Sequence, residues 1–401
     1  MISQLHRALV SVYLGLVSIG TAFGQQNIWS QTPHPSPIVH KDQSVTFQLY
    51  APKAKQVEIS GDFLPEQSIE TPNGRINVTG RTSLKPMGDG LWQLTTAPLQ
   101  PELYQYSLYV DSLQISDPSN VYRHRDTNLV TDVFLVGGGV DGAYGTQRVA
   151  HGSVLKQWVP SATLHASRRL SIYLPPNYFE QSSKRFPVLY LLHGMGGDEE
   201  AWLSMGRAAQ IFDNLIAAGR MKPAIVVMPN GNVAQEAAPG EGSEGMVTPN
   251  AYLPRTMNGE FEAAFPDIVR YVDAHFRTLR QMDKRAIAGL SMGGFHSLYI
   301  SANNPKLFGY VGLFSAAIRP MNDTKSPFYD DFPGKLHRQF VEKPRLYYIA
   351  IGREDFLYEQ NQQFRSQLQA DKLPHEYHET EGGHTWRNWR RYLLDFLPKL
   401  F

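Results

Sequence analysis

Val45, Phe47 and Leu49 alternate with Thr46 and Gln48, the period-two mark of a half-buried strand. Short runs of the same kind follow at Val57 to Ser60, Leu91 to Thr95, Leu103 to Val110 and Thr131 to Val136. Turn signals separate them: Pro65-Glu66, Pro72-Asn73-Gly74, Gly88-Asp89-Gly90 and Asp117-Pro118. Short strands at this spacing, with no helical period, predict a β-sandwich of about 100 residues. Gly137-Gly138-Gly139 through Gly145 breaks the pattern and marks a linker. Beyond about Ala150 the rhythm changes. Leu170, Ile172 and Leu174 alternate, which predicts an edge or half-exposed strand. Pro187 to Leu192, Ala224 to Met228 and Leu346 to Ile351 are continuous apolar runs, as for strands buried on both faces. Val311 to Phe314 is a further strand. Helical spacing appears over Trp202 to Ala218, Phe261 to Phe276, Gly294 to Asn303 and Phe356 to Gln369. Pro266 is expected to start or kink the second of these. Trp386, Trp389, Leu393, Phe396 and Leu397 give an amphipathic C-terminal helix. Strands alternating with helices predict an α/β fold: a mostly parallel sheet with helices on both faces, its chemistry at the C-terminal strand ends.

The chain has 401 residues, 42% hydrophobic and 19% charged, with a net charge of +1. A charge so near zero gives no general field for nucleic acid or an acidic membrane. Arg7, the apolar stretch Ala8 to Ile19 and the small-x-small site Ala22-Phe23-Gly24 read as a secretory signal peptide over residues 1–24. No later stretch is apolar for the roughly 20 residues that a membrane span needs. There is no cysteine, so disulfides are excluded; an exported chain without them fits a bacterial periplasm or medium. The expected organisation is a signal peptide (1–24), a β-sandwich (25–136), a linker (137–152) and an α/β domain (153–401).

Gly289-Leu290-Ser291-Met292-Gly293 reads G-x-S-x-G between a strand-like run and a helix. That is what a nucleophile elbow needs, because a serine on a sharp turn must be flanked by small residues. A serine hydroxyl needs a base in contact, and the base needs an orienting acid. In sheets of this kind the order is serine, acid, histidine. His384 follows Gly382-Gly383 just before the last helix and is the candidate base. His296 projects away from the turn, and His337, His375 and His378 sit in charged segments. The acid should end the preceding strand, where Gly352-Arg353-Glu354-Asp355 offers Asp355, with Glu354 as the alternative. One oxyanion donor is the backbone N–H of Met292. The other belongs to His193-Gly194-Met195-Gly196-Gly197, either Met195 or Gly194. His193 reads as a residue that shapes this loop. No metal or cofactor is called for.

With LLHGMGGDEEAW at Leu191 to Trp202, AGLSMGG at Ala288 to Gly294, IGREDF at Ile351 to Phe356 and GGHTWRNW at Gly382 to Trp389, residues from about Ser153 to Phe401 resemble the esterase D superfamily of α/β-hydrolases. More narrowly they are similar to carbohydrate esterase family one, the bacterial feruloyl and acetyl-xylan esterases. The resemblance implies the triad Ser291, Asp355 and His384, with Met195 and Met292 as oxyanion donors. VTFQLYAPKAKQVEISGDF at Val45 to Phe63, GDGLWQL at Gly88 to Leu94 and LYQYSLYVDS from Leu103 resemble the early-set immunoglobulin-like modules of carbohydrate-binding module family 48. Trp92 and Tyr106 there read as core, not as sugar platforms.

The expectation is a secreted serine esterase that removes feruloyl or related groups from plant polysaccharide such as arabinoxylan through an acyl-enzyme. Acetyl-xylan esterase and a periplasmic ferric-siderophore esterase are rivals within the same chemistry. A non-catalytic polysaccharide-binding protein is the rival from another class. The long segment Asn232 to Asn258 is expected to form part of the pocket rim.

Overall fold

A computed structural model describes residues 34–401 except 72–73, 127–128, 244–251 and 322–323. The signal peptide expected over 1–24 lies outside the described residues. The N-terminal half consists of antiparallel strands: β1 (Ile38–Val39), β2 (Val45–Tyr50), β3 (Val57–Gly61), β4 (Gln67–Thr71), β5 (Gly74–Val78), β6 (Arg81–Ser83), β7 (Lys85–Gly88), β8 (Leu91–Thr95), β9 (Glu102–Val110), β10 (Leu113–Ile115), β11 (Arg123–Asp126) and β12 (Leu129–Val136). One sheet runs β1-β2-β8-β7, a second runs β11-β12-β9-β3-β6 with β10 on β9, and β4 and β5 pair as a separate two-stranded sheet. The alternating residues Val45, Phe47, Leu49, Val57, Ile59, Tyr104, Tyr106, Leu108 and Phe134 meet in one buried core. Tyr106 is core, as read; Trp92 packs on its margin.

The second half is built on one sheet of eight strands: β13 (Ser153–Ser161), β14 (Ala166–Leu174), β15 (Val188–Leu192), β16 (Ile225–Pro229), β17 (Arg285–Leu290), β18 (Tyr310–Phe314), β19 (Leu346–Gly352) and β20 (Glu376–Thr380). Their order is β13-β14-β16-β15-β17-β18-β19-β20. β13, β14 and β16 pair antiparallel, and the rest are parallel. Helices α1 (Ala201–Ser204), α2 (Ala208–Ala217), α3 (Glu260–His275), α4 (Met292–Asn303), α5 (Phe332–Val341), α6 (Tyr358–Ala370) and α7 (Trp386–Phe396) cover it. A separate apolar core lies on each face. This is the α/β-hydrolase arrangement. From β15 the chain moves to β16 on one side and then crosses over to β17 on the other. That reversal opens a crevice beyond their C-terminal ends.

Four expectations change. The strand with Leu170, Ile172 and Leu174 is neither an edge nor half exposed. β13 runs along its outer side for nine residue pairs, and Arg168 to Leu174 are all buried. Its alternation survives because Arg169 sits in an ion-pair network and the Tyr173 hydroxyl donates to Asp213 at 2.6 Å. Arg169 pairs with Glu199, Glu200 and Glu241. The helix expected over Trp202 to Ala218 is two helices, broken where Arg207 takes a left-handed φ of 50°. α3 runs on through Pro266, starting well before it; the missing N–H leaves the Glu262 carbonyl without its helical donor. The residues expected as a linker are packed. Tyr144 is buried, and Asn214 Nδ2 donates to the carbonyls of Ala143 and Gly145 at 3.0 and 2.9 Å.

Candidate active site

Ser291 stands between β17 and α4 with φ 52° and ψ −115°. A non-glycine residue there costs on the order of 1–3 kcal/mol and persists only when its surroundings hold it. Its N–H donates to the Phe314 carbonyl at 2.9 Å, and its own carbonyl accepts from Phe295 and Ala317 at 3.0 and 3.2 Å. The flanking glycine is compulsory. A Cβ on Gly293 would lie 2.4 Å from the His193 carbonyl oxygen and 2.5 Å from that of Leu192. This close approach seats the serine turn on the loop after β15.

That loop is His193 to Gly197. His193 is buried and ties it to its neighbour. Its Nε2 accepts from the Gly231 N–H at 2.8 Å, so Nδ1 carries the proton and donates to the Gly194 carbonyl at 2.7 Å. Burial pushes its pKa down to about 4, so the imidazole is neutral and the tautomer fixed. Arg168 holds the supporting segment from behind. Its guanidinium donates to the carbonyls of Val233, Asn230 and Asn232 at 2.7, 2.9 and 2.6 Å. Nothing in the local pattern marked Arg168, because its partners lie more than 60 residues away.

The Met195 N–H has no acceptor among the described residues. The Met292 N–H opens α4, ahead of the first bond back to Ser291. Helix-opening N–H groups carry partial positive charge and have no intrahelical partner. The Met292 N–H therefore suits an oxyanion, and Met195 lies on the same cavity wall.

Asp355 follows β19, its side chain fully buried. It accepts from His384 Nδ1 through both carboxylate oxygens, at 2.9 and 3.0 Å, and from the Leu357 N–H at 2.9 Å. Glu354, the alternative acid, has no bond to the histidine. The loop carrying His384 packs directly on the acid's loop. A Cβ on Gly352 would fall 1.8 Å from the Gly382 carbonyl oxygen, which explains a glycine at that strand end. Asn388, buried in α7, clamps the histidine loop by donating to the carbonyls of Glu381 and Gly383 at 3.1 and 3.0 Å. The ring of His384 lies edge-on to Trp389 and beside Phe356, with centroids 4.9 and 4.5 Å away.

Ser291 and His384 line one cavity of about 620 Å³, together with Met195, Met257, Leu290, Met292, Arg319, Met321, Phe356, Trp386 and Trp389. Four of the five sequence-derived site residues, Met195, Ser291, Met292 and His384, line this cavity, and the fifth, Asp355, lies buried behind His384 after β19. Met257 on the wall agrees with a rim role for the segment 232–258, of which 244–251 lie outside the described residues. His296 faces away and bonds Glu262 at 2.7 Å. Among the described residues no cluster of histidine, aspartate and glutamate is arranged to hold a metal.

A strained serine above a helix N-terminus, with a carboxylate-bound histidine across the same cavity, is the arrangement used by serine hydrolases. The chain belongs to the family described as "Putative esterase", which matches residues 161–400. An endo-1,4-beta-xylanase/feruloyl esterase from Xylanibacter ruminicola is 30% identical over 306 residues, 75% of this chain. The chain spans 39% of that relative's length. A ferulic acid esterase from Anaeromyces mucronatus, solved with ferulic acid, is 25% identical with a TM-score of 0.51, covering 65% of this chain and 96% of its own. The enterobactin esterase from Shigella flexneri is 19% identical; its fold aligns over 88% of this chain and 92% of its own, TM-score 0.60. This last likeness is one of fold and extends across both halves.

Proposed function

We propose that the protein is an exported serine esterase that releases feruloyl or related hydroxycinnamoyl groups from plant polysaccharide such as arabinoxylan. The observation that carries this reading is the cavity at Ser291: about 620 Å³, walled by methionine and aromatic side chains. An acetyl group would leave most of it unfilled, whereas a flat aromatic acyl chain suits adaptable thioether walls. The relatives named for feruloyl and ferulic acid esterase activity support the same choice. Export rests on the hydrophobic segment of residues 1–24.

In this reading His384 Nε2 takes the proton of Ser291 Oγ as the oxygen attacks the ester carbonyl. Asp355 holds the Nδ1–H and offsets the imidazolium charge. The N–H groups of Met195 and Met292 receive the oxyanion, each contributing roughly 3 kcal/mol to the transition state. His384 then protonates the departing sugar oxygen. Water, activated by the same imidazole, releases the acid from Ser291.

Release of ferulate from methyl ferulate and from feruloylated arabinoxylan by wild type and Ser291→Ala tests this. Turnover should vanish in the variant. Equal rates in the two would dismiss the esterase mechanism, and faster deacetylation of acetylated xylan than ferulate release would favour the acetyl-xylan alternative.

A further inference from the structure

The walls of the catalytic cavity are apolar but carry one fixed charge. Among the described residues that line it there is no aspartate, glutamate or lysine, and Arg319 is the sole arginine. Arg319 stands on the loop after β18, two residues past Ala317, whose N–H donates to the Ser291 carbonyl. That bond ties the loop bearing the guanidinium to the nucleophile. From the other side, Arg319 Nη2 donates to Gln363 Oε1 in α6 at 2.6 Å. Gln360 lies one turn before Gln363, on the same face of the helix, and lines the cavity.

These two side chains are incompletely used. One of the five N–H groups of a guanidinium is taken by Gln363. Arg319 has no carboxylate partner among the described residues, and the Gln360 amide has no hydrogen bond there. The buried or half-buried arginines of the same domain are different: Arg169, Arg285 and Arg390 each face an acid. An apolar cavity rejects a carboxylate, because the ion loses its water and gains nothing. A tethered guanidinium reverses that, since its planar donors match a carboxylate and bring the opposite charge. A neutral acyl group would need no such cation.

We propose that Arg319, with Gln360 beside it, reads a free carboxylate on the acyl group, so that the preferred substrate is a monoester of an aromatic dicarboxylic acid. This rests on the esterase reading above. Such a monoester remains when one ester of an acyl bridge between two polysaccharide chains has been cut. The reaction that supplies it is therefore a first hydrolysis of a diester cross-link, and this enzyme makes the second cut. Ser291 Oγ bonds the acyl carbon, the bond to the sugar oxygen breaks, and that oxygen takes its proton from His384. Water then frees the diacid from Ser291.

The test compares kcat/KM of the full chain on methyl 4-carboxycinnamate and methyl 4-carbamoylcinnamate, which share a shape and differ in charge. Wild type should prefer the anion severalfold, and added salt should shrink the preference because Arg319 is exposed. Arg319→Gln should lower the ratio about tenfold, the expectation for one hydrogen bond to a charged group. Arg319→Lys keeps the charge without the planar fork and should retain part of it. A wild type that prefers the carbamoyl ester, or a ratio that Arg319→Gln leaves unmoved, overturns the proposal. Calorimetry on Ser291→Ala needs no turnover. Adding Arg319→Gln should weaken binding of the carboxy ester about tenfold and that of the carbamoyl ester much less; equal effects on the two overturn the proposal. A wild type that hydrolyses neither ester refutes the esterase reading instead, and calorimetry still decides the role of Arg319.

Discussion

Asn388→Ala asks how His384 is kept in place. Asn388 is 2% exposed and spends its amide N–H groups on the carbonyls of Glu381 and Gly383. Those carbonyls bracket the loop that carries the histidine. The Gly383 carbonyl also accepts from the Thr385 N–H at 3.0 Å, so truncation strands mainly that of Glu381, which solvent can reach. Two hydrogen bonds at a net value of about 1 kcal/mol each set the stability loss at about 2 kcal/mol. The catalytic loss should be larger in proportion. His384 is still tethered by Asp355, but a displacement approaching 1 Å costs roughly a hundredfold in rate. We expect kcat on methyl ferulate to fall tenfold to a hundredfold, with KM changed less than about twofold because Asn388 does not line the acyl cavity. Asn388→Asp keeps the shape but turns a carboxylate toward two carbonyl oxygens, and should lose more than the alanine variant. Urea midpoints and steady-state kinetics measure both quantities. A kcat within twofold of wild type, alongside the expected loss of stability, would refute the idea that this amide positions the base.

Gly293→Ala sets a methyl against two backbone carbonyls that cannot swing aside. It should cost about 1–3 kcal/mol and lower kcat at least tenfold, read by melting and ester turnover. His124 is buried with neither ring nitrogen bonded among the described residues. Burial, with the charges of Arg390 and Arg207, pushes its pKa down to about 4. Above pH 6.5 the histidine is neutral in both states; as pH falls toward 4 only the unfolded chain takes the proton, so stability is lost. His124→Phe removes that loss and should gain about 2–3 kcal/mol on wild type between pH 7.5 and pH 4.5, by urea titration at each pH. A constant gap would sink the assignment. Arg125 reaches from β11 to the buried Asp198 beside the His193–Gly197 loop. Arg125→Ala should cost about 1–3 kcal/mol and lower kcat severalfold, measured on the full chain.

The parts of the site that are local in sequence were legible. Gly289 to Gly293, His193 to Gly197, Gly352 to Asp355 and Gly382 to Trp386 each carry a glycine where one backbone meets another, next to a residue with the needed chemistry. The supports were not legible. Arg168, Asn388 and Arg125 are ordinary polar letters whose roles come from carbonyls and carboxylates brought close by folding. The same reason explains β14, where Arg169 reads as solvent-facing when it is paired beneath the surface. The Arg207 break was hidden too, because apolar spacing continues across it while the backbone does not.

Arg390 is 1% exposed in α7. It donates to Glu102 at the start of β9 at 3.0 Å, to the Leu103 carbonyl at 3.2 Å and to the Met205 carbonyl at 2.7 Å. The pair crosses from one half of the molecule to the other with water excluded. Removing one partner of such a pair costs about 3–5 kcal/mol, since the other charge stays buried alone. The two halves are therefore not independent beads: cutting away the N-terminal half would leave the Arg390 guanidinium without its carboxylate. Arg390 and Glu102 therefore tie the stability of each half to the presence of the other.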